Sequence, residues 1–218
     1  MSNRVLVVVG AGPGIGAALA RSCAREGYDV GLVGRDRDVL EALAAELAAR
    51  GVDAVPAVAD ITDVAAGRAA VAGLGERWGR IDHLHFNPSA FRQQDPLHLS
   101  VPDLLQDVAL GVGGLLTSVQ AARPYLHRGA RVTATGSMAA DEPWHEAASL
   151  GVQKAGLRNL VQSLDATLAP EGVRAVSLTV RGTLGPDGPF SPDRVAEAIR
   201  AAAGQDEGEW RAEVAHTG

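Results

Sequence analysis

Short apolar runs alternate along this chain with longer stretches in which apolar residues return every three or four positions. The first run, Val5–Val9, is closed by Gly10 and is too uniformly apolar for either face of a strand to meet water. Ala17-Ala18-Leu19-Ala20 then leads in helical composition to Glu26, where Gly27 stops it. The alternation repeats with Val30–Val33 as strand, Val39–Arg50 as helix carrying Leu40, Leu43 and Leu47 on one face, and Ala54–Val58 as strand. Val64–Trp78 predicts a helix, Ile81–Phe86 a strand, and Val101 to about Tyr125 one long helix ended near Pro124. Arg131–Thr135 follows as strand, Trp144–Leu168 as helix and Val173–Val180 as strand. Ser191–Ala203 is the last helix, with Ser191 as N-cap and Pro192 at its first position, and weak alternation from Glu209 to Ala215 suggests a seventh strand. Strict β-α alternation with strands this apolar predicts an α/β fold: a doubly wound parallel sheet of six or seven strands, one domain over residues 1–218.

Composition agrees and narrows the function. The 218 residues, 46% hydrophobic and 21% charged, suffice for one sizeable core. A net charge of −6 and no basic run argue against nucleic acid, because gripping phosphates along a strand needs clustered positive charge. The five apolar residues after Arg4 are too few for a leader or a span, so a soluble cytoplasmic protein is expected, with a small molecule as partner, no membrane and no metal. Cys23, the sole cysteine, reads as a small core residue. Nineteen of the twenty cationic residues are arginine and Lys154 is the exception, which suggests a site that needs a compact ammonium.

Between the first strand and the first helix lies Gly10-Ala11-Gly12-Pro13-Gly14-Ile15-Gly16. Glycines there let backbone approach a pyrophosphate, and the helix N-terminus beyond supplies free amides and partial positive charge. In a strand-turn-helix unit this predicts dinucleotide binding by Gly10, Gly12, Gly14, Ile15 and Gly16 in a Rossmann-type fold. The second strand ends Val33-Gly34-Arg35-Asp36, and an arginine at the first loop position favours the extra phosphate of NADP(H). If Asp36 faces the site instead, the preference reverses; otherwise Asp36 sits at a helix N-cap.

These motifs together resemble the short-chain dehydrogenase/reductase family over nearly the whole chain. Gly10, Gly14 and Gly16 are similar to its Thr-Gly-x-x-x-Gly-x-Gly turn, with Val9 in place of threonine. The resemblance implies that Asp60, with Ile61 beside it, meets adenine, and that Asn87 in Asn87-Pro88-Ser89-Ala90 is what remains of Asn-Asn-Ala-Gly. It also makes Ser137 the catalytic serine, Lys154 the lysine seventeen residues on, and Thr183 a contact to the nicotinamide carboxamide. Against this pattern, Tyr-x-x-x-Lys reads Leu150-Gly151-Val152-Gln153-Lys154, and Asn-Leu-x-Gly reads Gly111-Val112-Gly113-Gly114. Hydride transfer to a carbonyl leaves an alkoxide that a lysine-tuned phenol would protonate, and leucine cannot do so.

His145, in Asp141-Glu142-Pro143-Trp144-His145-Glu146, is a candidate substitute acid or base; the other reading of this segment is a solvated helix start, where acids belong. Only Arg181–Phe190 separates the sixth strand from the last helix, which implies an open or differently covered pocket. An NADP(H)-dependent oxidoreductase acting on a small carbonyl or alcohol with a non-standard proton donor is the leading expectation. A non-redox enzyme performing dehydration, cyclisation or isomerisation, or a cofactor-binding pseudoenzyme, are the alternatives. The helices beginning at Val101 and Trp144 resemble the pair the family uses for a four-helix dimer contact, so a homodimer or homotetramer is expected, with Gly111, Gly113 and Gly114 permitting close approach.

Overall fold

Each apolar run finds its hydrogen-bond partners in another such run, and the outcome in the computed structural model, which describes residues 3–218, is one parallel sheet. Its strands are β1 (Val5–Val9), β2 (Asp29–Gly34), β3 (Ala54–Val58), β4 (Ile81–Phe86), β5 (Leu126–Ser137), β6 (Arg174–Val180) and β7 (Glu213–His216), in the order β3-β2-β1-β4-β5-β6-β7. The order reverses direction between β1 and β4, so their C-terminal ends open a crevice, as a doubly wound sheet requires.

The period of two along β1 sorts the core into two layers. Val5, Val7 and Val9 face α3 (Val64–Trp78), α5 (Gly114–Ala122) and α6 (Ala148–Leu168), packing with Leu74, Leu115 and Leu157. Leu6 and Val8 face the other side, where α1 (Ile15–Ala24), α2 (Arg37–Ala48) and α7 (Pro192–Ala203) bring Leu19, Leu40 and Ile199. Cys23 is buried in this second layer, and burial pushes its thiol up to about 11. The seventh strand exists, although it begins at Glu213 rather than Glu209 and pairs parallel with β6.

Several boundaries differ from expectation for identifiable reasons. Helix α1 starts at Ile15, two residues early, because the glycine turn itself delivers the chain into helical geometry. Asp36 caps α2 through the Val39 N–H at 3.2 Å and so starts that helix at Arg37. The single long helix expected from Val101 is interrupted: α4 (Val101–Val108) passes through a π-helical turn at Ala109–Gly113 before α5. There Gly111 lies against Gln153 of α6, and a Cβ on it would stand 2.6 Å from the Gln153 Oε1. The close approach that these glycines permit is therefore internal at Gly111; at Gly114, likewise, a Cβ would meet Ile61 and Phe86. By length and a mean hydropathy of 1.2, Val101–Tyr125 would suffice to cross a membrane, yet α5 packs on α3 and β4, and α4 on α6. Helix α6 begins at Ala148 rather than Trp144, after a separate short turn at His145–Ala147.

Candidate active site

A cleft of about 830 Å³ opens where β1, β2, β4, β5 and β6 end. Gly10, Gly12, Gly14 and Ile15 form one wall, Arg35 and Ile61 stand at the β2 and β3 side, and Asn87, Ser137 and Lys154 lie across the crevice. A cavity of similar size, about 840 Å³, lies between α7 and the segment 204–215 around Trp210, but it contains none of the candidate site residues named from the sequence. Chemistry rather than volume separates the two.

The glycine turn is built for close approach. Gly12 and Gly14 face open space where a Cβ would stand, while a Cβ on Gly16, behind the turn, would sit 2.5 Å from the Gly10 carbonyl oxygen. Among the described residues no side chain caps α1, whose N-cap is Gly14, so the positive end of that helix borders the cleft without a built-in anion. These features fit a diphosphate. At the end of β2 the carboxylate of Asp36 is engaged with its own helix, whereas Arg35 is exposed and borders both the cleft and an adjoining pocket. Asp60 lies in that adjoining pocket, and hydrogen bonds from the Thr62 hydroxyl and N–H, helped by the positive charge of Arg35, hold its carboxyl below the ordinary range.

At the other end, Ser137 closes β5 beside Val180 of β6, its Oγ accepting from the Ala139 N–H at 3.2 Å. Lys154 projects from α6, is 4% exposed and donates from Nζ to the Thr135 carbonyl oxygen at 2.8 Å. Burial brings its amine down to about 8. Leu150, one helical turn before Lys154, faces the same cleft, and neither tyrosine of the chain, Tyr28 or Tyr125, lines it. Tyr125 packs against Gly75, and Tyr28 carries the Arg4 guanidinium 4.2 Å from its ring centre.

Two sequence candidates are not brought in. His145 is exposed and does not line the cleft, because the chain forms a separate short turn at His145–Ala147 before α6 starts. Thr183 is exposed beyond the cleft, where Gly182 passes under the Phe190 ring and Leu184 supplies the wall instead. Conversely, Gln153 went unnoticed. It is fully buried, donates from Nε2 to the Ala90 carbonyl at 2.9 Å and accepts from the Ala90 N–H at 3.1 Å, fastening the segment after β4 to α6. Its polarity beside Lys154 reads as an outer helix face, and only Gly111 opposite hinted at an inserted side chain. Thr135, Phe91 and Leu110 also line the cleft and carried no sequence signal.

A profile described as short chain dehydrogenase matches residues 4–185, which takes in every element from β1 to β6. The chain belongs to the short chain dehydrogenase family. Among similar proteins, L-rhamnose 1-dehydrogenase (NAD(P)(+)) of Azotobacter vinelandii is 33% identical over 192 residues, 85% of this chain and 75% of that protein. Oxidoreductase UcpA of Salmonella typhimurium is 32% identical over 180 residues, 80% and 67% of the two chains. Among solved structures, a short chain dehydrogenase from Burkholderia cenocepacia in complex with NADP superposes with a TM-score of 0.87 at 27% identity, covering 98% of this chain and 95% of that one. A metagenomic short-chain oxidoreductase in complex with NADP gives 0.86 at 27%, covering 99% and 98%.

Proposed function

We propose that this member of the family is an NADP(H)-dependent oxidoreductase acting on a small carbonyl or alcohol, with a proton donor other than the usual tyrosine. The observation that carries the reading is convergence: the glycine turn, Arg35, Ser137 and Lys154, widely spaced in sequence, line one cleft. Gly12, Gly14 and the uncapped start of α1 would hold the diphosphate, Arg35 the additional phosphate, and Ile61 and Asn87 the body of the nucleotide. Bound nicotinamide supplies or accepts the hydride. Relatives described as an NAD(P)(+) dehydrogenase and as NADP complexes support the choice of cofactor.

Ser137, which lines the cleft, would donate a hydrogen bond to a carbonyl oxygen as negative charge develops on it. Lys154, positively charged below about pH 8, offers an ammonium to the ribose hydroxyls. Leu150 in that wall delivers no proton, so the proton comes from solvent or from the substrate itself. Substrates whose reduced anion is weakly basic suit such a site better than saturated ketones do. Titration with NADPH and NADH, followed by cofactor absorbance against a carbonyl panel, tests the reading: NADPH binds more tightly than NADH, Arg35→Ala removes the difference, and some carbonyl consumes NADPH. Failure to bind either nucleotide would end it. Leu150 also favours one second reading, a non-redox reaction on a Ser137-bound carbonyl, which would convert substrate with no net change in NADPH.

A further inference from the structure

Beneath the cleft, β4 and β5 share a buried chain of polar side chains that the proposed chemistry uses only at its Asn87 end. In the register between these strands His85 sits opposite Thr133, and His83 and His85 lie on the same face. His83 Nε2 is 2.7 Å from Thr133 Oγ1, which is 2.8 Å from His85 Nδ1. The other nitrogen of His85, Nε2, is 3.3 Å from Thr135 Oγ1, which is 2.8 Å from Asn87 Oδ1. Asn87 Nδ2 then donates to the Gly10 carbonyl at 3.3 Å, inside the glycine turn. His85 is 0% exposed, Thr133 1% and His83 5%.

The far end fixes the polarity of every link. A backbone carbonyl only accepts, so the amide nitrogen of Asn87 faces Gly10 and its Oδ1 faces Thr135. That oxygen only accepts as well, which uses the one proton of the Thr135 hydroxyl; toward His85, Thr135 accepts, and His85 carries its proton on Nε2. Burial, with His83 and Lys154 nearby, keeps His85 neutral, so its Nδ1 is bare and takes the Thr133 hydroxyl proton. Thr133 in turn accepts from an Nε2–H of His83. The chain ends on an amide that takes up no proton, so it orients groups rather than conducting protons. Thr135 is its junction with the cleft: the hydroxyl holds Asn87 while the carbonyl holds Lys154.

We propose that His85, as the Nε2–H tautomer, is a positioning residue for the cofactor cleft: it commits the Thr135 hydroxyl to Asn87 and so locks the amide that grips the Gly10 carbonyl of the glycine turn. This rests on the assignment of that turn to NADP(H). His85 itself does not line the cleft, so replacing it removes no direct contact there.

Long-range proton–nitrogen NMR on the protein without nucleotide reads the tautomers directly, with signals assigned by their loss in His83→Gln and His85→Gln. Both imidazoles are expected to show a protonated Nε2 and a bare Nδ1. Titration with NADPH then compares His85→Leu, which breaks the chain, with His85→Gln, whose amide can still donate to Thr135 and accept from Thr133. The leucine variant is expected to weaken NADPH binding about tenfold and the glutamine variant to stay within about threefold, the scale of one buried hydrogen bond. An Nδ1–H tautomer at His85, or a leucine variant that folds and binds NADPH like the parent, would overturn the proposal. Should His85→Leu fail to fold, the tautomers in the parent protein decide alone. A parent protein that binds neither nucleotide defeats the functional reading and this proposal's role for His85, whereas the correct tautomer with unaffected binding defeats only the proposal.

Discussion

Lowering the pH of this protein should cost it stability well before its carboxylates begin to protonate. His83 is buried on β4 beside β5, with Arg200 and Arg131 adding repulsion that Asp82 only partly offsets, and its imidazole is lowered from 6.5 to about 4. In the unfolded chain the same ring binds a proton near its ordinary value. The unfolded state therefore takes up protons first, so the contribution of His83 is complete above about pH 6.5 and drains away as pH falls toward about 4. At about 1.4 kcal/mol per pH unit, that interval removes about 3 kcal/mol, and His85, lowered further still, adds a loss of the same sign. Against a total stability of roughly 5–15 kcal/mol this is a large fraction. The carboxylates of Asp60, Asp82, Asp95, Asp141 and Glu46 are held low by their hydrogen-bond partners, so their contribution is lost only below the ordinary carboxylate range, leaving the window between about pH 6.5 and about pH 5 to the two imidazoles. Urea unfolding across that window measures the effect: with a slope of about 2–3 kcal/mol per M, the midpoint should drop by about 1 M or more. In a His83→Gln, His85→Gln double variant the starting stability is lower but that drop shrinks. A midpoint in the parent that stays level from about pH 7 to about pH 5 would refute the reasoning, because it would mean that neither ring is held neutral by the fold.

The other predictions concern the cleft and the helix surface. Gly16→Ala places a methyl group 2.5 Å from the Gly10 oxygen and 3.1 Å from the Ala11 Cα, backbone that cannot step aside; a loss of about 1–3 kcal/mol in thermal unfolding, together with loss of nucleotide binding, is expected. NADPH affinity should fall as pH rises through about 8, where the Lys154 ammonium loses its proton, and Lys154→Met should bind more weakly with no such limb in an isothermal titration series. Leu150→Tyr returns an acid to the wall beside Lys154, and steady-state reduction of simple ketones should speed up by ~10²-fold or more; an unchanged rate with NADPH bound would place the reacting carbonyl elsewhere. Leu97, Val101 and Leu105 around the start of α4 and Val152 on α6 leave an exposed apolar surface, so light scattering on the parent should report a homodimer or tetramer, and Leu105→Glu should lower the oligomeric mass.

Elements whose identity rests on local pattern were legible in the sequence. Val5–Val9, Ala54–Val58 and Ile81–Phe86 were bounded correctly because each is a short segment, wholly apolar only in the first, set between glycine, proline or polar residues that mark its two ends. The glycine turn was legible because its chemistry and its position between strand and helix are both local. What escaped depends on pairings made far along the chain. Gln153 gains its meaning from Gly111 and Ala90, and the π-helical turn exists where that side chain inserts. The histidines of β4 looked like ordinary strand residues until the register with β5 set Thr133 and Thr135 against them. His145 looked close to Lys154 along the chain, but the late start of α6 separates them.

The last strand reaches further than its length suggests. Glu213 of β7 accepts from the Arg158 guanidinium at 2.7 Å and from the Thr179 hydroxyl at 2.7 Å, so it braces α6 one helical turn past the residue that enters the cleft. Losing that terminal prop would uncover the flank of β6 as a sticky edge and, at the same stroke, let the lysine's helix drift, so that trimming a tail far from the nucleotide would register first as slack in the active site.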